Sequence, residues 1–248
     1  MRTLIRLAKV FQLPENILGR EGIELSLIED EKKSAAKEAA KLIRDGMIVG
    51  IGTGSTVNYF IEELGKKVAS GLKIKGVSSS IRSSDLARSH GIEIMDDFQG
   101  IMDIDVDGAD QVDGNGNLIK GGGGALLREK IVAYNSMNVC IIVDREKMAG
   151  DKFGSFPLPV EVTPYYASGT ISHIEKLGSH CKLRQNGKFV TDNGNLIADC
   201  EFGKIPDPEM LQKKIKSIPG VVEVGLFVGM ASEIIVGSEK SASILKLK

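Results

Sequence analysis

Residues 47–56 read Met-Ile-Val-Gly-Ile-Gly-Thr-Gly-Ser-Thr. The first five form an apolar run of strand length, a glycine loop follows, and Val57, Phe60, Ile61 and Leu64 continue at helical spacing. A strand that turns through glycines into a helix leaves successive backbone N–H groups at the positive end of that helix, which makes an anion site. Ser55 and Thr56 add hydroxyl donors with little bulk. The dinucleotide fingerprint does not hold. Its third glycine would be Ser55, and the next strand, 73–77, ends in Ser78-Ser79-Ser80 instead of a ribose-binding acid. The P-loop pattern fails for want of Gly-Lys-Ser/Thr. A compact monophosphate suits this loop better than a nucleotide, with an ordinary capped turn as the alternative.

Outward from this loop, strands and helices keep alternating. Residues 31–44, rich in Ala, Lys and Glu, predict a helix before the first strand, with Gly46 as its stop. A helix at 82–89 follows the second strand, 92–95 and 101–106 are short strands, and a helix at 125–134 precedes a buried strand at 139–143. This order predicts an α/β fold, a Rossmann-like parallel sheet wound with helices. After Phe156-Pro-Leu-Pro159 the rhythm changes to strand 160–162, helix 166–177 and strand 181–184. Stretches 189–191 and 196–201 flank the turn Asp192-Asn-Gly-Asn195 as one bent strand or a small hairpin, then helix 208–218 and strand 221–228 follow. That succession predicts an inserted, smaller ferredoxin-like α+β domain, after which 233–236 rejoins the first sheet. The expected division is an extension at 1–29, a catalytic α/β domain at 30–156 and 229–248, and a small lid or oligomerisation domain at 157–228.

Composition narrows the function. The 248 residues carry 32 Lys+Arg against 33 Asp+Glu and no Trp, which disfavours a nucleic-acid surface or base-stacking platform. No apolar run approaches the ~20 residues needed to cross a bilayer, so no membrane partner is expected. Cys140, Cys181 and Cys200 are odd in number and irregularly spaced, matching neither a disulfide framework nor a metal knuckle. A reducing cytoplasm is therefore the expected location. Arg2, Arg6 and Lys9 lie among apolar residues as in a transit peptide, but Glu15, Glu21 and Glu24 follow, so a folded or mobile extension is expected at 1–29.

Two further loops carry reactive side chains. Asp103-Ile-Asp-Val-Asp-Gly-Ala-Asp110 begins like a calcium loop, but Gly114 stands where a bidentate Glu is required. Ile104 and Val106 alternate as in a strand, which puts Asp107 and Asp110 at or beyond its carboxyl end, where open α/β sheets hold ligands. Asp103 and Asp113 read as solvated turn acids, and Asp105 is left between the two readings. Lys120-Gly-Gly-Gly-Gly-Ala-Leu-Leu-Arg-Glu-Lys130 sets a glycine run between a cation and a helix bearing Glu129. A Lys and a Glu near two Asp residues make a proton-transfer set: base, acid and an ammonium for developing oxyanion charge. A flexible linker with surface charges is the alternative. His90, His173 and His180 lack metal-ligand spacing, and no Ser stands in a GxSxG elbow.

Five stretches together, GIGTGST (50–56), DVDGADQ (105–111), KGGGGALLREK (120–130), DREK (144–147) and FPLPVEV (156–162), resemble type A ribose-5-phosphate isomerases in order and spacing. The resemblance runs from about Lys32 to the C-terminus. It implies an aldose–ketose isomerase of the pentose phosphate pathway, with no cofactor and no metal, that interconverts ribose 5-phosphate and ribulose 5-phosphate. It also implies a homodimer or homotetramer, with a small sugar phosphate as ligand. By this resemblance Glu129 is the base that moves a proton between C1 and C2 through an enediolate. Asp107 assists ring opening and shuttles the hydroxyl proton, Lys120 polarises the carbonyl oxygen, and Asp110 meets a substrate hydroxyl. Thr53, Gly54, Ser55 and Thr56 match the substrate loop, Gly108 and Ala109 lie between the two acids, and Gly121, Gly122 and Gly123 form a second backbone cradle. Lys147 is a substrate lysine, and Lys32 adds charge for the phosphate. Two departures stand out: Gln111 where the family has Glu, and Gly124 where Ala is common. The rival readings are a coenzyme A transferase-like enzyme or sugar-phosphate sensor on the same fold, and an NADP-dependent oxidoreductase with Arg82 reading the 2′-phosphate.

Overall fold

The computed structural model describes residues 15–247, so 1–14 of the expected extension lie outside the described residues. In chain order the first unit has α1 (Glu15–Ala40), β1 (Ile48–Ile51), α2 (Ser55–Ala69), β2 (Lys75–Ser78), α3 (Ile81–Ser89) and β3 (Glu93–Ile94). It continues with β4 (Ile104–Asp107), β5 (Gln111–Val112), β6 (Leu118–Ile119), α4 (Leu126–Tyr134) and β7 (Val139–Val143). The second unit is β8 (Leu158–Val162), α5 (Ala167–Glu175), β9 (His180–Leu183), β10 (Leu196–Glu201), α6 (Pro208–Lys216) and β11 (Val221–Val224). The chain then returns through β12 (Leu226–Phe227), β13 (Glu233–Gly237) and β14 (Ala242–Lys246).

The main sheet has seven strands in the order β14-β13-β7-β4-β1-β2-β3, parallel except for the edge pair β13–β14. From β1 the chain winds outward to β2 and β3, whereas β4, β7 and β13 build the other way. The switch point therefore lies between β1 and β4, where such sheets open a crevice at the carboxyl ends. α1 is longer than the helix expected at 31–44. It starts at Glu15 and stops at Ala40, so the described part of the extension is continuous with it. Its small residues Ala35, Ala36, Ala39 and Ala40 are buried, which lets it lie close against α2 and β13. Val57, Phe60, Ile61 and Leu64 of α2 pack on that same core.

The second unit is a four-stranded antiparallel sheet in the order β11-β8-β10-β9 with α5 and α6. Counted along the chain this is 4-1-3-2, the split βαβ arrangement. Two expectations change here, and a third sheet appears. Stretch 189–191 is no strand: Thr191 N–H bonds Asn195 O to close a turn, and Thr191 and Asn195 side chains donate to the buried Glu161 Oε1. The strand expected at 221–228 breaks at Gly225, whose N–H donates to Pro159 O and whose C=O accepts from Lys120 N–H. Past the break, β12 joins β6 and β5, from a stretch given no element above, in a third sheet of order β12-β6-β5.

The cysteine reading is also corrected. Cys181 and Cys200 form a disulfide, and among the described residues Cys140 is the free one. The pair is 19 residues apart in sequence yet directly opposite in the β9–β10 ladder, with Cα atoms 4.0 Å apart. Strand register brings them together, and spacing along the chain does not report register.

Candidate active site

β1 and β4 run side by side with Gly50 beside Asp105, and the next glycine, Gly52, sits against Asp107. A Cβ on Gly52 would lie 2.0 Å from Asp107 Oδ1, and one on Gly50 would lie 2.9 Å from Asp105 Oδ1. These glycines thus make room for two carboxyls. Asp107 Oδ1 accepts the N–H groups of Thr53 (3.0 Å) and Gly108 (2.7 Å), while its Oδ2 is 2.9 Å from Lys120 Nζ. Lys120 Nζ also donates to Gly108 O at 2.5 Å and lies 3.4 Å from Glu129 Oε1. Glu129 comes from the first turn of α4, and its Oε2 is buried with no hydrogen-bond partner.

All three side chains are at most 3% exposed, so electrostatics decides their protonation. Burial, helped by Asp107 and Asp110 and opposed by Lys120, raises the Glu129 carboxyl to about 8. Burial alone would lower Lys120, but Asp107 and Glu129 outweigh it and hold the ammonium above the usual lysine range. Asp105, expected by some readings to be solvated, is enclosed, and both its oxygens lack partners. Burial, then Asp107, raise it well above the ordinary aspartate value, against the pull of Lys120. One ammonium does not balance three buried carboxyls, so protons stay on Asp105 and, below about pH 8, on Glu129. Asp103 and Asp113 are not free turn acids either: Asp103 accepts Ile48 N–H, and Asp113 ties the turn at Asn115 and Asn117.

A raised carboxyl contributes stability that is fully present below its unfolded-state value and is lost as pH rises through its folded-state value. Asp105→Asn keeps the shape and removes the titration. Relative to the parent, this variant is expected to gain Tm as pH rises from about 4 to 9, by about 2–4 °C for each kcal/mol relieved in a chain of this size. Scanning calorimetry across that range checks it; a pH-independent difference refutes it.

A cavity opens above these groups at the β1–β4 switch point. It is lined by Thr53, Gly54, Ser55, Thr56, Gly108, Ala109, Asp110, Lys120, Gly121, Gly122, Gly123, Glu129 and Lys147. Of the site residues read from the sequence, only Asp107 and Lys32 are not in that lining. Asp107 lies just beneath it, bonded to Lys120. Lys32 stands apart, its Nζ 2.7 Å from Glu29 Oε1 one turn earlier on α1. At the cavity wall α2 starts at Ser55, and its N-cap Gly54 has no side chain to cap it, leaving its first N–H groups for an anion. Asp110 Oδ2 accepts the Gly122 N–H at 2.7 Å. Among the described residues no group of three or more His, Cys, Asp or Glu is placed to hold a metal ion.

Both departures have local reasons. Gln111 donates from Nε2 to Ser155 Oγ (2.6 Å) and accepts the Gly154 N–H at Oε1 (2.8 Å), two roles an ionised Glu does not fill together. Gly124 has φ +81°, and a Cβ there would lie 2.2 Å from Phe189 Cζ, so Ala does not fit. Gly225 and Arg184, which hold the backbone of the 120–124 loop from outside, are not singled out by the sequence. A glycine inside the apolar run 221–228 is a sign of close backbone approach; a lone Arg after a strand carries no local sign.

The family profile described as Ribose 5-phosphate isomerase A (phosphoriboisomerase A) matches residues 75–241. The ribose-5-phosphate isomerase A of Thermoplasma volcanium is 53% identical over 220 residues, covering 87% of this chain and 91% of its own. The solved ribose 5-phosphate isomerase A of Methanocaldococcus jannaschii superposes with a TM-score of 0.82 at 40% identity, covering 88% of this chain and 99% of that one. A D-ribose-5-phosphate isomerase solved with phospho-erythronic acid gives a TM-score of 0.84, also at 40% identity, covering 88% of this chain and 99% of that one. Profile, sequence and three-dimensional likeness agree over most of the length, and the chain belongs to the ribose 5-phosphate isomerase A family.

Proposed function

We propose that this chain interconverts ribose 5-phosphate and ribulose 5-phosphate, an aldose–ketose isomerisation through an enediolate. The observation that carries the reading is the state of Glu129. One oxygen meets Lys120, the other is buried and unpartnered, and the residue lines the polar cavity. With the substrate phosphate at the start of α2, held by the N–H groups and hydroxyls of Ser55 and Thr56 and by Lys147, the sugar carbons reach toward Glu129. Thr53 and Gly54 shape that loop, while Gly108, Ala109 and the 121–123 glycines offer backbone to the hydroxyls.

Glu129 takes the proton from C2 of the open-chain aldose. The C–H electron pair becomes the C1–C2 double bond, and the carbonyl oxygen takes the negative charge beside Lys120. Returning the proton to C1 gives the ketose, while Asp107 relays the hydroxyl proton between O2 and O1 and assists ring opening. Asp110 meets a substrate hydroxyl. Lys32 adds its charge to the phosphate only on leaving Glu29. The test is direct: purified protein with ribose 5-phosphate and EDTA is expected to form ketose rapidly, and a folded protein that forms none overturns the reading.

Assembly and location belong to the same proposal. A homodimer or homotetramer is supported by the large apolar side chains left exposed on and just after α4, Ile131, Tyr134 and Met137. The unit at 157–228 serves as its lid or oligomerisation domain, and 30–156 with 229–248 as the catalytic one. A cytoplasmic location is supported by the substrate, since a charged sugar phosphate does not cross a bilayer unaided. The Cys181–Cys200 disulfide then sits in a compartment where such bonds are uncommon.

A further inference from the structure

The loop that follows Lys120 has no side chains of its own to fix it, yet its backbone is held from both sides. On one side, Asp110 Oδ2 accepts the Gly122 N–H at 2.7 Å. On the other, Arg184 reaches in from the second unit, its Nη1 donating to Gly121 O at 2.9 Å and to Gly122 O at 3.1 Å. Arg184 is itself fixed. Asp199 on β10 takes its Nε at 2.9 Å and its Nη2 at 2.5 Å, the two-toothed grip that a guanidinium makes and an ammonium cannot. The ring of Phe189 lies against its guanidinium, 5.4 Å from centroid to Cζ, and also fills the space where Gly124 lacks a Cβ.

The peptide plane turns this grip into a statement about the cavity. No peptide in the described chain is cis, so each C=O points opposite to the N–H of the same unit. The unit joining Gly121 and Gly122 has its C=O on Arg184 and its N–H on Asp110. The unit joining Gly122 and Gly123 also has its C=O on Arg184, so its N–H is turned to the Asp110 side, where both residues line the cavity. That N–H, belonging to Gly123, has no partner among the described residues.

We infer that Arg184 is a positioning residue for the isomerisation: by holding two successive carbonyls of the glycine loop, it presents the Gly123 N–H to a substrate oxygen that gains charge during the proton transfer. This inference rests on the proposed isomerase reading. It assigns to the inserted unit a part in transition-state stabilisation, through the Asp199–Arg184 pair, without any of its side chains touching the substrate. A free N–H aimed beforehand needs no reorganisation as charge develops, and one such donor is worth ~10²–10³ in turnover in well-studied oxyanion sites.

The experiment compares wild type with Arg184→Ala, Arg184→Lys and Asp199→Asn. Wild-type conversion of ribose 5-phosphate stands as the separate test of the isomerase reading, so its failure is distinct from failure of the inference. For Arg184→Ala, kcat is expected to fall by ~10²-fold with KM changed less than about threefold. Its affinity for phospho-erythronic acid should weaken at least about tenfold while that for inorganic phosphate is kept, and added guanidinium should restore part of the turnover. Arg184→Lys, which keeps the charge but lacks the fork, is expected to lose at least about fivefold in kcat, and Asp199→Asn to fall between it and wild type. These milder variants decide the matter if Arg184→Ala does not fold. Turnover within about twofold of wild type in folded Arg184→Lys and Asp199→Asn overturns the inference. So does an equal loss of affinity for phosphate and phospho-erythronic acid, which would show general loosening of the cavity.

Discussion

Glu129→Gln is expected to bind ribose 5-phosphate about as well as the parent and to turn it over at least ~10² times more slowly. Gln fills the same volume, keeps an oxygen for Lys120 and loses only the ability to take a proton. The phosphate grip proposed at Ser55, Thr56 and Lys147 is untouched, so KM should move little while kcat falls, the mark of an interaction used in the transition state. The parent adds a second signature. A base works only when deprotonated, and burial has pushed this carboxyl up to about 8. The parent's kcat/KM should therefore climb with pH through that region and level off above it, and the limb should be missing from the Gln variant. Ketose formation followed from about pH 6 to pH 9.5 reads both effects. Near-normal turnover, or a limb that persists without the carboxyl, would remove Glu129 from its role.

Lys120→Met is expected to damage the protein twice. Activity should fall by ~10² or more, since the cation proposed to meet the developing oxyanion is gone. Stability should also fall, by roughly 3–5 kcal/mol, because the change leaves Asp107, Glu129 and Asp105 enclosed without their counter-ion. For a chain of this length that corresponds to a drop in Tm on the order of 10 °C. The sign with pH follows from the carboxyls. Deprived of the ammonium, they hold their protons to higher pH in the fold, so the variant's deficit should be smallest in mild acid and grow towards pH 9. Calorimetry of parent and variant at both ends of that range settles it; a deficit that is small or flat with pH means that Lys120 does not hold the cluster together.

Local signals made much of this legible. An apolar run, glycines and a helical repeat lie contiguous at 47–64, and they became β1, the loop and α2. The order of elements after Pro159 was enough for the 4-1-3-2 sheet, because short connections leave few ways to pair the strands. The placement of the candidate side chains was legible for the same reason: Asp107 ends a strand, and Glu129 lies in the first turn of a helix.

What escaped depends on contacts between distant stretches. Cys181 and Cys200 meet only through the register of β9 and β10. Alternation along β4 put Asp105 on the same face as Asp107, but only the packing of α4 over that face, with Val132 against Gly50, shows that it is dry. Lys32 is the exception. Its partner Glu29 stands three residues earlier at helical spacing, a pairing visible in the sequence itself.

The bond between Lys120 N–H and Gly225 O has a consequence for how the protein comes into being. A ribosome adds residues in order, and a chain grown only as far as β10 already holds every side chain of the cavity. Yet Gly225, which seats the lysine's backbone, and β13, which pairs with β7 on the side away from β4, have not been made. Such a nascent chain has the acids and their cation but lacks the backbone partner of Lys120 and the strand paired with β7, so it should be inert and exposed to proteases and self-association until β12 and β13 emerge. Loss of the stretch from Gly225 through β13 would then silence the molecule as surely as an injury to the cavity itself.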